Sequence, residues 1–177
     1  MATLSLAKIS GYVAQGQAAT TTKGKGDAFE ELLCYVVGKV PGISITRRNV
    51  LNDAHSEEVD IAFFNEQKLK GFFFLPNFIL AECKNWSKPL GSIEVNWFDT
   101  KLKNRGLSFG ILFAANGISG EAAERTAARD VISNSLKEGR DIVVITQDEL
   151  MAIATTDQLC QLIKEKICDL KVSGTVI

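Results

Sequence analysis

Apolar residues recur along this chain with two periods, one helical and one extended. Phe29, Leu32, Leu33, Val36, Val37 and Val40 follow one another at steps of mostly three or four, which predicts a helix after Gly26 that Pro41 and Gly42 stop. ISITRRNV at 43–50 alternates as a strand does. The polar run NDAHSE turns the chain, and Val59, Ile61 and Phe63 then alternate with Asp60, Ala62 and Phe64 in a second strand. NEQKLKG is a turn, and the aromatic run Phe72 to Leu75 is read as extending the hairpin. FILAEC at 78–83 is apolar almost to its end, as a central strand would be.

Further along, Ser92 and Glu94 suit a helix start, and Ile93, Val95, Trp97, Phe98, Lys101 and Leu102 form a partly amphipathic helix ending near Gly106. A buried strand from Phe109 to Ala115 closes in the turn NGISG. An Ala-rich helix is expected over 121–137, with Arg125 and Arg129 on one face, followed by the strand DIVVIT. Thr146 with Glu149, and Thr155 with Gln158, have capping-box spacing for two final helices, the last carried by Leu159, Leu162, Ile163 and Ile167. Residues 1–24 show no firm element and read as an N-terminal arm, whose Leu4, Leu6, Ile9 and Val13 are available to dock on the body or on a second subunit. Residues 25–177 then make one layered α/β domain with a helical C-terminal segment.

Composition adds that 177 residues, 46% of them hydrophobic, suffice for one domain with a sizeable core. With 20 Lys and Arg against 21 Asp and Glu, the net charge of -1 offers no general attraction to a polyanion. The charge is uneven, however. Lys84, Lys88, Lys101, Lys103 and Arg105 outnumber Glu94 and Asp99 in one stretch, while 121–177 is acidic. Cys34, Cys83, Cys160 and Cys168 form no CxxC pair, and His55 is the single histidine, so a structural zinc site is not expected. Cys34 reads as a buried thiol, and Cys83 as facing away from its strand neighbours. The N-terminal segment lacks a signal-peptide pattern, and no apolar run reaches membrane-spanning length, so a cytoplasmic protein without membrane contact is expected.

The polar residues that interrupt the apolar strands carry the chemistry. Asp60 stands in VDIAFF. Glu82 and Lys84 are two residues apart, so in an extended strand both side chains leave on one side of the sheet with Cys83 opposite. Two carboxylates from neighbouring strands beside an ammonium make a coherent site for a hard divalent cation and for attack on a phosphodiester. The bland reading is an acid in an edge strand plus a surface Glu–Lys ion pair. Asn116, Gly117 and Gly120 lack the spacing of a phosphate loop. His55 falls in a turn, Glu57 and Glu58 at a hairpin, and Arg47 and Arg48, being adjacent, should face opposite ways.

GKGDAFEELL, followed by SEEVDIAFF and then FILAECKNW, resembles the PD-(D/E)xK nuclease superfamily, particularly its restriction-endonuclease-like, Mrr-like branch. The similarity runs over about 24–150. It implies a restriction-endonuclease-like core, a central mixed sheet flanked by helices, and metal-dependent endonucleolytic cleavage of DNA in antiviral defence, with a structure-selective repair nuclease or Holliday-junction resolvase and a noncatalytic nucleic-acid-binding or protein-interaction subunit as alternatives. In that mapping Asp60 and Glu82 are the motif acids, Lys84 the motif lysine and Glu30 an accessory acid. Asp60, Glu82, the Cys83 carbonyl and Glu30 would hold Mg2+, or Mn2+ in its place. Val59 replaces the proline that often precedes the first acid. Asn85 and Trp86 would border the scissile bond, Asn96 would take a polar role on the following helix, and Lys101 and Lys103 would contact phosphates. Double-stranded DNA, a homodimer and a recognition or activator subunit are the partners this implies.

Overall fold

The computed structural model describes residues 2–51, 58–85, 87–119 and 128–174. The readings made for His55, Glu57, Trp86, Gly120 and Arg125 lie outside them. Eleven elements follow in order among the described residues: α1 Leu6–Ala18, α2 Thr22–Val37, β1 Ile43–Leu51, β2 Glu58–Asn65, β3 Phe78–Lys84, α3 Ser92–Asn104, β4 Phe109–Ala114, α4 Ala128–Lys137, β5 Asp141–Ile145, α5 Gln147–Ala152 and α6 Thr156–Ser173. The strands form one mixed sheet in the order β1-β2-β3-β4-β5. β1, β2 and β3 pair antiparallel, whereas β3, β4 and β5 are parallel. The parallel half needs crossovers, and α3 and α4 supply them.

Strand alternation divides the interior into two layers. Ile61, Phe63, Ile79, Ala81, Cys83, Ile111, Phe113, Val143 and Ile145 point toward Phe29, Leu32, Leu33, Ile9, Leu159 and Ile163 of the α1, α2 and α6 helices. Ala62, Leu80, Leu112, Ala114, Ile142 and Val144 face the other way, toward Val95, Phe98 and Leu102 of α3 and Ala128 and Ile132 of α4. Gly110 lies where α3 comes closest: a Cβ there would meet Phe98 Cζ at 2.7 Å and Leu102 Cδ1 at 2.9 Å.

Two expectations change. The N-terminal segment is a helix, capped by the Ser5 hydroxyl accepting from Lys8 N, and Leu4, Ile9 and Val13 are buried while Leu6 is half exposed. Its spacing was helical, but Gly11, Gly16 and the small residues around them dilute the local signal. It is anchored by backbone bonds across the fold, Leu4 N donating to Ala154 O at 2.8 Å and Thr156 N to Ala2 O at 3.0 Å. The Phe72–Leu75 run is a turn, not a strand extension. Buried Asn65 organises it, its Nδ2 donating to the carbonyls of Phe72, Leu75 and Pro76 while its Oδ1 accepts from Gln67 N. Both C-terminal capping boxes form as the spacing predicts. Among the described residues no helix is long and apolar enough to cross a membrane.

Candidate active site

The β2–β3 register pairs Ile61 with Ala81, and one further step sets Asp60 across from Glu82. All three polar residues, Asp60, Glu82 and Lys84, share the α3 face. Asp60 and Glu82 are 8% and 6% exposed, so neither is surface decoration. Asp60 Oδ2 accepts from Cys83 N at 2.8 Å, which ties the first acid to the backbone between the other two residues. Lys84 Nζ lies 2.8 Å from Glu82 Oε1 and 4.0 Å from Asp60 Oδ2. Cys83 points into the opposite layer, where burial drives its thiol well above its ordinary range.

α3 brings a fourth group. Lys101, expected to contact phosphates, is 8% exposed and its Nζ donates to Glu82 Oε2 at 2.6 Å. Each Glu82 oxygen thus carries one ammonium. Its partnership with an acid nineteen positions away was not visible in the spacing, since it depends on how α3 crosses the sheet. Glu58, Asp60, Glu82, Lys84, Trp97, Thr100 and Lys101 line a recess of about 530 Å3.

Burial raises the Asp60 carboxyl to about 6, the Glu82 charge adds to the rise, and Lys84 partly offsets both. Burial pulls Lys84 the other way, but Glu82 and Asp60 outweigh it and the ammonium is held above its usual range. At neutral pH the recess therefore holds an ionisable base beside a firmly protonated lysine.

Glu30 lies on α2 and is held by residues of β1. Its Oε2 accepts from Asn49 Nδ2 at 3.1 Å and lies 3.6 Å from Arg48 NH2. It lines a neighbouring recess with Asn49 that shares Glu58 and Asp60 with the first. Burial raises its carboxyl, with Asn49 and Arg48 opposing. Arg48 also bonds Glu31, and Arg47 faces the other side of the sheet, as adjacent strand residues should.

The expected metal centre requires correction. Among the described residues no group of three or more His, Cys, Asp or Glu is placed to hold a metal ion. The proposed Mg2+ or Mn2+ ligands, Asp60, Glu82, the Cys83 carbonyl and Glu30, do not form that cage. The physical reason lies in their partners: Lys84 and Lys101 occupy the Glu82 oxygens, the Cys83 amide takes Asp60, and Asn49 and Arg48 draw Glu30 aside. Like charges that a cation would otherwise have to neutralise are already balanced by lysines.

The remaining expected contacts are dispersed. Asn85 Nδ2 donates to Lys25 O at 2.9 Å, fastening the end of β3 to α2. Asn96 and Lys103 line another recess on α3 with Asp99, Val131 and Glu138, and Lys103 lies 3.7 Å from Glu138. No family model and no curated protein matches the chain.

Proposed function

We propose that the chain is a nuclease that hydrolyses DNA phosphodiester bonds in the recess holding Asp60, Glu82 and Lys84, and that it belongs with the restriction-endonuclease-like PD-(D/E)xK enzymes it resembles. The observation that carries this reading is the convergence of Asp60 from β2 with Glu82 and Lys84 from β3, on one face and in one cavity. Buried charges are costly, and a fold that gathers two buried acids and two lysines in one open recess has arranged them for chemistry more readily than for stability.

The side chains divide the work. Asp60, ionised above about pH 6, takes a proton from an attacking water. The water oxygen bonds to phosphorus as the bond to the 3′ oxygen breaks. The departing oxygen takes a proton from solvent, leaving a 5′-phosphate and a 3′-hydroxyl. Lys84 stays protonated and stabilises the negative charge on the phosphoryl oxygens, while Glu82 holds Lys84 and Lys101 at the site. Defence against foreign DNA is the biological role that the resemblance favours.

A second reading rests on the same ion pairs. With Lys84 and Lys101 each on one Glu82 oxygen, the recess is also what a noncatalytic nucleic-acid-binding relative would retain. Plasmid, linear duplex, branched DNA and RNA should therefore be incubated with wild type and Lys84→Ala, in chelator and across divalent cations. The expected result is cleavage by wild type that falls roughly 10²- to 10³-fold in Lys84→Ala with binding kept. Binding without cutting on every substrate leaves the noncatalytic reading, and cleavage unchanged by Lys84→Ala removes the site.

A further inference from the structure

The recess opens beside aromatic and aliphatic surface that the fold leaves uncovered. Trp97 lines it from α3 yet is 63% exposed, an unusual position for a side chain whose burial would contribute so much. Ala62 and Leu80, on the α3 side of the sheet, line a second recess of about 340 Å3 together with Val50, Leu51, Val59 and Phe78, and Phe78 remains 42% exposed. Arg47 and Arg105 complete its lining, in which no carboxylate stands among the described residues, and Arg105 NH1 also donates to Lys101 O at 3.0 Å. Asp60 and Glu82 line the first recess, and Ala62 and Leu80, two positions along the same strands and therefore on the same face, line the second.

An indole at the mouth of the catalytic recess, and a phenyl ring in an apolar hollow flanked by two guanidinium groups, suit a ligand with flat apolar faces on an anionic backbone. We infer that this surface binds an unpaired nucleic-acid strand, with bases resting on Trp97 and Phe78 and phosphates on Arg47 and Arg105, so that the preferred substrate carries a single-stranded or unstacked segment at the scissile bond. The inference rests on the proposed nuclease site and names its substrate class.

Charge and shape favour this occupant. Base faces in an intact duplex are stacked and inaccessible, so a duplex would set its sugar–phosphate rails against an apolar floor. A single strand satisfies both halves of the surface, since every base offers a face for stacking and every linkage a negative charge.

Affinity of the full chain for a labelled single strand, a duplex with a single-stranded tail and a blunt duplex is read by fluorescence anisotropy. Wild type is expected to prefer the first two. Trp97→Ala should weaken binding to unpaired DNA by roughly 5- to 100-fold, with little change on blunt duplex, and Trp97→Phe should restore most of the loss. Arg47→Ala should lower the slope of log affinity against log salt by about 0.7 on single strands. Thermal melts establish that each variant is folded, and sedimentation of wild type reports a second copy on this face. Equal affinity for blunt duplex and single strand, Trp97→Ala without effect, or a dimer dissociated by Phe78→Ser overturns the inference. Cleavage by wild type and Lys84→Ala, measured in parallel, separates the two ideas: cutting retained with no strand preference sinks only this one, whereas strand preference with no cutting sinks the nuclease reading.

Discussion

Asp60 gives up most of its water and, among the described residues, accepts one backbone amide in return, that of Cys83, with Lys84 no nearer than 4.0 Å. Burial is the larger influence, and its carboxyl titrates near 6 when folded against 3.8 for the free group. The folded state thus binds this proton more tightly than the unfolded chain does. Protonation favours folding, so the penalty for the charged carboxylate grows as pH rises from about 4 to 6 and is complete above that window. Asp60→Asn keeps an acceptor for the Cys83 amide and removes the charge. Its melting temperature should exceed that of wild type at pH 8, by a margin worth about 1–2 kcal/mol, and the margin should shrink toward pH 4. Melts at the two pH values check this, and a variant less stable than wild type at pH 8 would show that Asp60 is structural. The identity of this residue was legible in the sequence, because an acid stands out among Val59, Ile61 and Ala62. That Lys101 shares its recess was not, because a lysine on an amphipathic helix looks the same whether it meets water or Glu82.

At the scale of elements, the site depends on how closely α3 lies on the sheet. Phe98 and Leu102 rest on Gly110 of β4, and Lys101, between them in sequence, is thereby carried to Glu82. The far side of the helix is fixed by Arg140, whose Nε and NH2 reach the two Asp99 oxygens at 2.7 and 3.0 Å. Gly110→Val would wedge methyl groups into contacts that already leave no room for a Cβ. A loss of roughly 1–3 kcal/mol is expected in urea unfolding, together with reduced cleavage as Lys101 is lifted from Glu82. A variant as stable as wild type would mean that α3 is free to move outward. The elements themselves were readable from period: both kinds of strand, α3 and the two capped C-terminal helices match the predicted spans. The Phe72–Leu75 turn was misread because aromatic residues favour strands, and the three carbonyls that Asn65 gathers leave no trace in local composition.

For the molecule as a whole, the N-terminal helix belongs to the core it was expected only to touch. Leu4, Ile9 and Val13 enter the layer formed with α2 and α6, and the segment before α1 pairs with residues 154–156 near the other end of the chain. Each such apolar side chain contributes about 1.5–3 kcal/mol when buried, and net stabilities of domains are only about 5–15 kcal/mol. Removing residues 2–18 should leave a chain without a cooperative urea transition, while circular dichroism still reports helix. A truncated form that unfolds cooperatively near the wild-type midpoint would show that α1 is an appendage.

The sequence by itself determined the periodic elements, the layered α/β class and the identity of Asp60, Glu82 and Lys84 as polar residues in apolar strands, since each of these follows from neighbours within a few positions. Only the tertiary structure decided which charges meet. The pairing of Lys101 with Glu82, the diversion of Glu30 to Asn49 and Arg48, and the resulting lack of a three-acid metal cage among the described residues all depend on distances between elements far apart in the chain. Coulombic and hydrogen-bond energies vary with those distances, and no local pattern specifies them.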